Sequence, residues 1–275
     1  MKAATIDLGG NALAYTDSAD GPTLVLLHAF PLDREMWRPQ LGALAGAARV
    51  LAVDLPGFGH SPAGTTPFAI ESAADAVADL LDAVGGAGRV VVAGLSMGGY
   101  VAMAFARRHP DRLAGLVLAD TRSEADDEAA KQGRAKMIAL ANEKGSAAVA
   151  EQMLPKLLSE ATLANRPEVV ETVRKLAARQ TADGVANGLA ALRDRPDATA
   201  GLDNVAVPTL ILVGEHDAVT PPVLASAMGA RIWGSLVVTI PGAGHLSNLE
   251  NPEAFNAALL DFLAKVSPAT KPANT

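Results

Sequence analysis

Short, almost unbroken apolar runs alternate along the chain with longer stretches in which apolar residues return every three or four positions. The runs at 23–27, 50–53, 90–93, 113–119, 209–213 and 236–240 read as strands buried on both faces. Ahead of them, 3–8 and 12–16 alternate apolar and polar residues around Gly9-Gly10-Asn11, a hairpin pattern. Between the runs, Ile70, Ala73, Ala74, Val77, Leu80, Leu81 and Val84 recur at helical spacing and predict a helix over about 68–85 with one apolar stripe. Asp33 stands where it caps a helix carrying Met36, Trp37 and Leu41. A helix opening at Met97 must stop before Pro110, with Arg107, Arg108 and His109 in the last turn, where cations complement the helix dipole. Asn251-Pro252-Glu253 supplies the cap, first-position proline and first-turn acid of a final helix whose buried face is Phe255, Leu259, Phe262 and Leu263. Strands alternating with helices predict an α/β fold, a mostly parallel sheet of about eight strands covered on both faces.

One region breaks the rhythm. From 123 to 202 no strand pattern occurs, and the sequence is alanine-rich helix former with scattered charges. It reads as a helical cap, or lid, at 122–202, inserted into a core made of 1–121 and 203–266; helices packed on the sheet without covering a site are the alternative. Residues 267–275 are small, polar and proline-containing and read as a flexible tail.

Composition narrows the function. Hydrophobic residues are 49% and charged residues 19% of 275, enough apolar surface for a sizeable core in a soluble chain. A net charge of -7 without a Lys/Arg cluster argues against a nucleic-acid partner. The absence of cysteine removes disulfides, thiolate nucleophiles and Cys-based metal centres. No basic start leads into an apolar run, and no apolar stretch reaches bilayer length, so no membrane association and a cytoplasmic location are expected. No metal, nucleotide or flavin signature is found, and no cofactor is expected.

The chemistry concentrates at one corner. Gly94-Leu95-Ser96-Met97-Gly98 places a serine between a buried strand and a helix, where a sharp turn lifts the hydroxyl above the sheet edge and aims free helix N–H groups at it. Serine needs a base, and the base needs a carboxylate to orient it. Of five histidines, His245 follows the last strand in a glycine loop at that same edge. His109 reads as a helix-end surface residue, His60 and His216 as turn residues, and His28 as a structural hydrogen-bonding group at a strand end. Asp217, after the strand at 209–213, is the leading acid in the chain order Ser, Asp, His; Asp120, ending the neighbouring strand, is its rival. Glu215 points elsewhere on this reading, and Asp54 braces the turn that follows it. Met97 and Phe30 are the expected backbone donors to an oxyanion.

These pieces resemble the α/β-hydrolase family: His28-Ala29-Phe30-Pro31 for its oxyanion loop, Asp54-Leu55-Pro56-Gly57-Phe58-Gly59-His60-Ser61 for its turn, the elbow at Ser96, Asp217 and His245. Ala29 stands where the family has glycine. The resemblance is strongest to the small carboxylesterase and lactonase branch, and it implies a serine hydrolase cleaving carboxylic esters of small to medium acyl groups through an acyl-enzyme. A lactonase acting on an enol-lactone or an N-acyl-homoserine lactone, and a non-catalytic ligand-binding protein, are the alternatives. The expected partner is a small-molecule ester or lactone. Trp37, Phe30, Met137, Ile138, Leu140, Met153, Leu154 and Leu158 are candidate walls of an apolar pocket, or ordinary packing. Arg122, at the entrance to the helical region, is placed either to meet a substrate carboxylate or to sit in a surface ion pair.

Overall fold

The computed structural model describes residues 2–9, 12–18, 21–64, 67–85 and 88–266. Among them are eight strands: β1 (Lys2–Asp7), β2 (Ala12–Asp17), β3 (Thr23–Leu27), β4 (Arg49–Val53), β5 (Val90–Leu95), β6 (Leu113–Ala119), β7 (Thr209–Gly214) and β8 (Leu236–Ile240). They form one sheet in the order β1-β2-β4-β3-β5-β6-β7-β8. The β1–β2 hairpin is antiparallel and β2 joins β4 antiparallel; every other pairing is parallel. Part of the predicted hairpin turn, Gly10 and Asn11, and the predicted tail at 267–275 lie outside the described residues. Because β3 to β8 run the same way, their carboxyl ends meet along one edge, where an open α/β sheet carries its ligands.

The helices are α1 (Arg38–Ala43), α2 (Ile70–Ala83), α3 (Met97–Arg108), α4 (Glu128–Leu157), α5 (Glu160–Asn165), α6 (Pro167–Ala178), α7 (Ala182–Asp194), α8 (Pro222–Arg231), α9 (Ser247–Glu250) and α10 (Pro252–Val266). Alternate strand residues serve opposite layers. Val25, Leu27, Val92, Leu118 and Ile211 pack with α2 and α3. Leu24, Leu26, Val91, Val117 and Leu210 pack with α1 and α10 through Leu41, Phe255, Leu259 and Phe262. With both faces covered, the strands have no polar side to show, which is why they read as continuous apolar runs.

Two expectations are corrected. The helix predicted after Asp33 is split: Asp33 accepts from the Glu35 N–H and opens a 3₁₀ turn at Arg34–Trp37, and α1 starts separately with Pro39 in its first turn. Trp37 lines no pocket, since its ring is wholly buried 6.1 Å from that of Phe255. Between β6 and β7 lie only α4 to α7 and short turns. Gly145, at φ 79 and ψ 178, divides α4 into two helices. Leu154 and Leu158 are buried, and Met137, Ile138, Leu140 and Met153 are half-buried against the core, so these residues act as packing. No helix among the described residues is long and apolar enough to cross a membrane.

The inserted helices are fastened over the carboxyl edge by polar contacts and glycine. The Arg179 guanidinium donates to both Asp33 oxygens at 2.7 and 2.5 Å, and Gln180 Nε2 donates to Asp33 at 2.8 Å. The Gly59 N–H donates to Gln180 Oε1 at 2.8 Å. In α7, a Cβ at Gly184 would stand 2.2 Å from the Gly57 oxygen, and one at Gly188 would stand 2.7 Å from the Phe58 ring and 3.1 Å from the Phe30 ring.

Burial pushes the Asp33 carboxyl up, but the Arg179 guanidinium and the Glu35 N–H outweigh it and hold it below the usual carboxylate range. A depressed folded-state value means that the stabilisation is complete above the unfolded-state value of about 3.9 and is lost as pH falls through the folded value. Acidification below about pH 4 is therefore expected to raise hydrogen exchange in α6 and α7 before exchange in β5 changes. Asp33→Asn is expected to show the same loosening at neutral pH. Exchange in α6 and α7 that ignores both changes contradicts the assignment.

Candidate active site

Ser96 occupies the single residue between β5 and α3, at φ 55 and ψ −112. A positive φ is rare and strained for a residue with a side chain, so its surroundings must hold it. The Ser96 N–H donates to the Ala119 oxygen at 2.9 Å, and the Ser96 oxygen accepts from the Gly99 N–H and from Thr121 Oγ, each at 2.9 Å. Two flanking glycines are obligatory by contact. A Cβ at Gly94 would lie 2.0 Å from the Gly98 oxygen, and one at Gly98 would lie 2.1 Å from the Leu27 oxygen. Since these neighbours are backbone atoms, Gly98→Ala is expected to destabilise the fold by about 3 kcal/mol or more, read as a lowered midpoint of urea unfolding. An unchanged midpoint contradicts this.

His245, in the loop between β8 and α9, places Nε2 at 2.9 Å from Ser96 Oγ and Nδ1 at 2.8 Å from Asp217 Oδ2. Asp217, in the loop after β7, also accepts from the N–H groups of Val219 and Thr220 at 2.8 and 2.9 Å, and from the Thr220 hydroxyl at 2.6 Å. Burial pushes the Asp217 carboxyl up, but the facing His245 and the bonds from His245 and Thr220 hold it below the usual carboxylate range. An ionised carboxylate only accepts, so the His245 proton resides on Nδ1 and Nε2 is left to accept from the Ser96 hydroxyl. The two loops meet through glycine: a Cβ at Gly214 would stand 2.0 Å from the Gly244 oxygen.

The loop after β3 is set by His28. Its Nε2 accepts from the Leu55 N–H at 3.0 Å, which places its proton on Nδ1, 2.9 Å from the Ala29 oxygen. Burial lowers the His28 pKa, in keeping with a neutral ring. The Ala29 oxygen also accepts from the Leu32 N–H at 2.9 Å. In a planar trans peptide, C=O and N–H point opposite ways, so anchoring this oxygen turns the Phe30 N–H away from His28. Neither the Phe30 nor the Met97 N–H donates to a protein acceptor among the described residues. The Ala29 methyl group is accommodated in full burial.

The remaining candidates fall elsewhere. Asp120, the rival acid, touches no histidine: its Oδ1 accepts from the Gly214 N–H at 2.7 Å, and its Oδ2 shares a 2.5 Å hydrogen bond with Ser247 Oγ. Asp54 accepts from the Arg34 and His60 N–H groups at 2.8 Å and pairs with the Arg34 guanidinium, bracing the turn. Glu215 accepts from the Gly242 N–H at 2.8 Å. His60 and His216 are exposed, and His109 Nε2 lies 2.9 Å from Asp75. Arg122 sits in an ion pair, but not the surface one expected: it donates at 2.6 Å to Asp126, whose carboxylate is buried because Arg134 and Arg195 converge on it as well.

Sequence reasoning missed Thr220, Ser247 and Glu250. An Asp-x-x-Thr spacing marks Thr220 as a local partner of Asp217, a signal that was available. Glu250, which accepts from the Gly244 and Ser159 N–H groups at 2.8 Å, carries no local signal. No group of three or more His, Asp or Glu side chains among the described residues is arranged to hold a metal ion.

Comparison with known proteins finds esterase and lactonase relatives. The chain is 32% identical over 246 residues to a pimeloyl-[acyl-carrier protein] methyl ester esterase of Neisseria meningitidis, covering 88% of this chain and 93% of that one. A thermophilic esterase from Thermogutta terrifontis superposes with a TM-score of 0.92 at 41% identity, over 97% of this chain and 99% of the other. The enol-lactonase of Burkholderia xenovorans superposes with a TM-score of 0.88 at 29% identity, over 95% of this chain and 100% of the other. The model of the alpha/beta hydrolase family matches residues 24–258, and on that match the chain belongs to the α/β hydrolase family.

Proposed function

We propose that the protein is a carboxylic ester hydrolase in which Ser96, His245 and Asp217 act as a catalytic triad, while the backbone N–H groups of Phe30 and Met97 form the oxyanion hole. The observation that carries this reading is the unbroken chain of short contacts from the Ser96 hydroxyl through both His245 nitrogens to an ionised Asp217. Ser96 Oγ attacks the ester carbonyl as its proton passes to His245 Nε2. The tetrahedral oxyanion takes up the two free N–H groups, and the alcohol leaves with the proton from Nε2. Water then repeats the cycle on the acyl-Ser96 ester, freeing the acid. The inserted helices at 122–202 act as the cap over this edge.

Similarity to an enol-lactonase favours lactone opening as the second reading, since the same steps break a cyclic ester. The test is a panel of p-nitrophenyl esters of rising chain length, an enol-lactone and an acyl-homoserine lactone, assayed on wild type and Ser96→Ala. Turnover of acetate and butyrate esters by wild type alone is expected. Preferential turnover of a lactone selects the second reading, and equal inertness of both proteins leaves a binding protein.

A further inference from the structure

The residues at and just past the end of β6 touch every loop that carries a member of the proposed triad. Ala119 accepts from the Ser96 N–H at 2.9 Å, and the Thr121 hydroxyl donates to the Ser96 oxygen at 2.9 Å. Between them, Asp120 is fully buried and turned back by a φ of 44, a conformation as uncommon for a residue with a side chain as that of Ser96. One of its oxygens holds the Gly214 N–H, three residues before Asp217; the other meets Ser247 Oγ, two residues after His245. Its own N–H donates to the Leu212 oxygen at 2.8 Å, tying it to the strand that leads to Asp217.

We infer that Asp120 is a positioning residue, whose carboxyl group locks the Asp217 loop and the His245 loop to the corner that carries Ser96. The inference rests on the triad reading proposed above. Among the described residues the charged groups that bear most on Asp120 are Asp217 and Glu250: burial, the Asp217 charge and Glu250 push its carboxyl well above the usual carboxylate range, against the bonds from Ser247 and Gly214. Two carboxylates this close cannot both ionise cheaply, so the negative charge settles on Asp217, beside the imidazole, and the proton on Asp120. The Ser247 hydroxyl donates to Oδ2 when the carboxyl is charged; with the proton on Oδ2 that hydroxyl rotates and the neutral acid donates to Ser247 Oγ instead, while Oδ1 accepts from the Gly214 N–H in either state. Asparagine offers the same pair of functions, an N–H₂ and a carbonyl, in the same shape.

The test compares Asp120→Asn, Asp120→Ala and Ser247→Ala with wild type, using three readouts. First, infrared spectroscopy of the wild type at neutral pH is expected to show the carbonyl stretch of a buried protonated carboxyl, lost in Asp120→Asn; a wild type without that band overturns the inference. Second, Asp120→Asn is expected to keep kcat on p-nitrophenyl acetate within about threefold and to retain the wild-type pH profile, whereas Asp120→Ala loses roughly 30-fold and Ser247→Ala about tenfold, mainly in kcat. An Asp120→Asn loss as deep as that of Asp217→Asn, or a Ser247→Ala kcat equal to wild type, overturns the inference. Third, the far-downfield proton resonance of the His245–Asp217 hydrogen bond is expected to persist in Asp120→Asn and to shift or broaden in Ser247→Ala. This last readout needs no turnover. A wild type inert on every ester and lactone, with the resonance following the variants, defeats the hydrolase reading and leaves the positioning role standing. An active wild type whose resonance ignores Ser247→Ala defeats the positioning role alone.

Discussion

Ser96→Ala is expected to lower kcat on p-nitrophenyl acetate by roughly 10⁵-fold, and His245→Ala by a similar factor, with the double variant no worse than either. The non-additivity follows from the geometry. In the proposed triad the hydroxyl is a nucleophile only while Nε2 at 2.9 Å takes its proton, and the imidazole has no other part in the attack, so removing either removes the same step. Residual rate comes from the oxyanion donors and from substrate binding, which neither change touches. Single-turnover kinetics on an active-site-titrated sample measures this. Additive losses, or a Ser96→Ala rate within tenfold of wild type, remove the covalent mechanism.

Asp217→Asn is expected to cost about 10⁴-fold in kcat while the fold and KM are largely preserved. An asparagine can present N–H to the imidazole, which favours the tautomer with its proton on Nε2 and leaves no lone pair facing Ser96 Oγ. The N–H groups of Val219 and Thr220 still donate to the remaining oxygen, and the Thr220 hydroxyl turns to accept from the new N–H₂, so the side chain stays where it is and the loss is one of proton position rather than structure. A loss of less than tenfold transfers the orienting role to another acid, and Asp120, directly after β6, is the rival that the sequence offers at that edge.

Most of the architecture is legible in the sequence because double-sided burial leaves an unmistakable trace: runs such as Val90-Val91-Val92 have nowhere else to go. The elbow is legible for a related reason, since the backbone contacts at Gly94 and Gly98 forbid a side chain and the two glycines therefore flank the serine. The choice between Asp217 and Asp120 is not local. Both end adjacent parallel strands at the same edge, and what separates them is the φ of 44 that turns Asp120 beneath the loops toward Gly214 and Ser247 while Asp217 faces His245. Whereas α4 breaks at Gly145 through a local positive φ that glycine adopts without strain, the burial of Trp37 against Phe255 depends on long-range packing, which spacing alone does not encode. Arg122 was ambiguous for the same reason: Asp126 lies four residues away, but the convergence of Arg134 and Arg195 on it requires the folded chain.

The bare face of α7 has a consequence for how such a protein adapts. At Gly188 the helix rests directly on the rings of Phe58 and Phe30, and Phe30 also bears one of the N–H groups proposed to receive the developing charge. A single methyl added there, far along the chain from every reacting atom, would press on the ring and thereby on the loop that aims that donor. On the proposed reading the inserted helices are thus a lever on reaction rate as well as a cover, and selection can work them one carbon at a time without altering a reacting group.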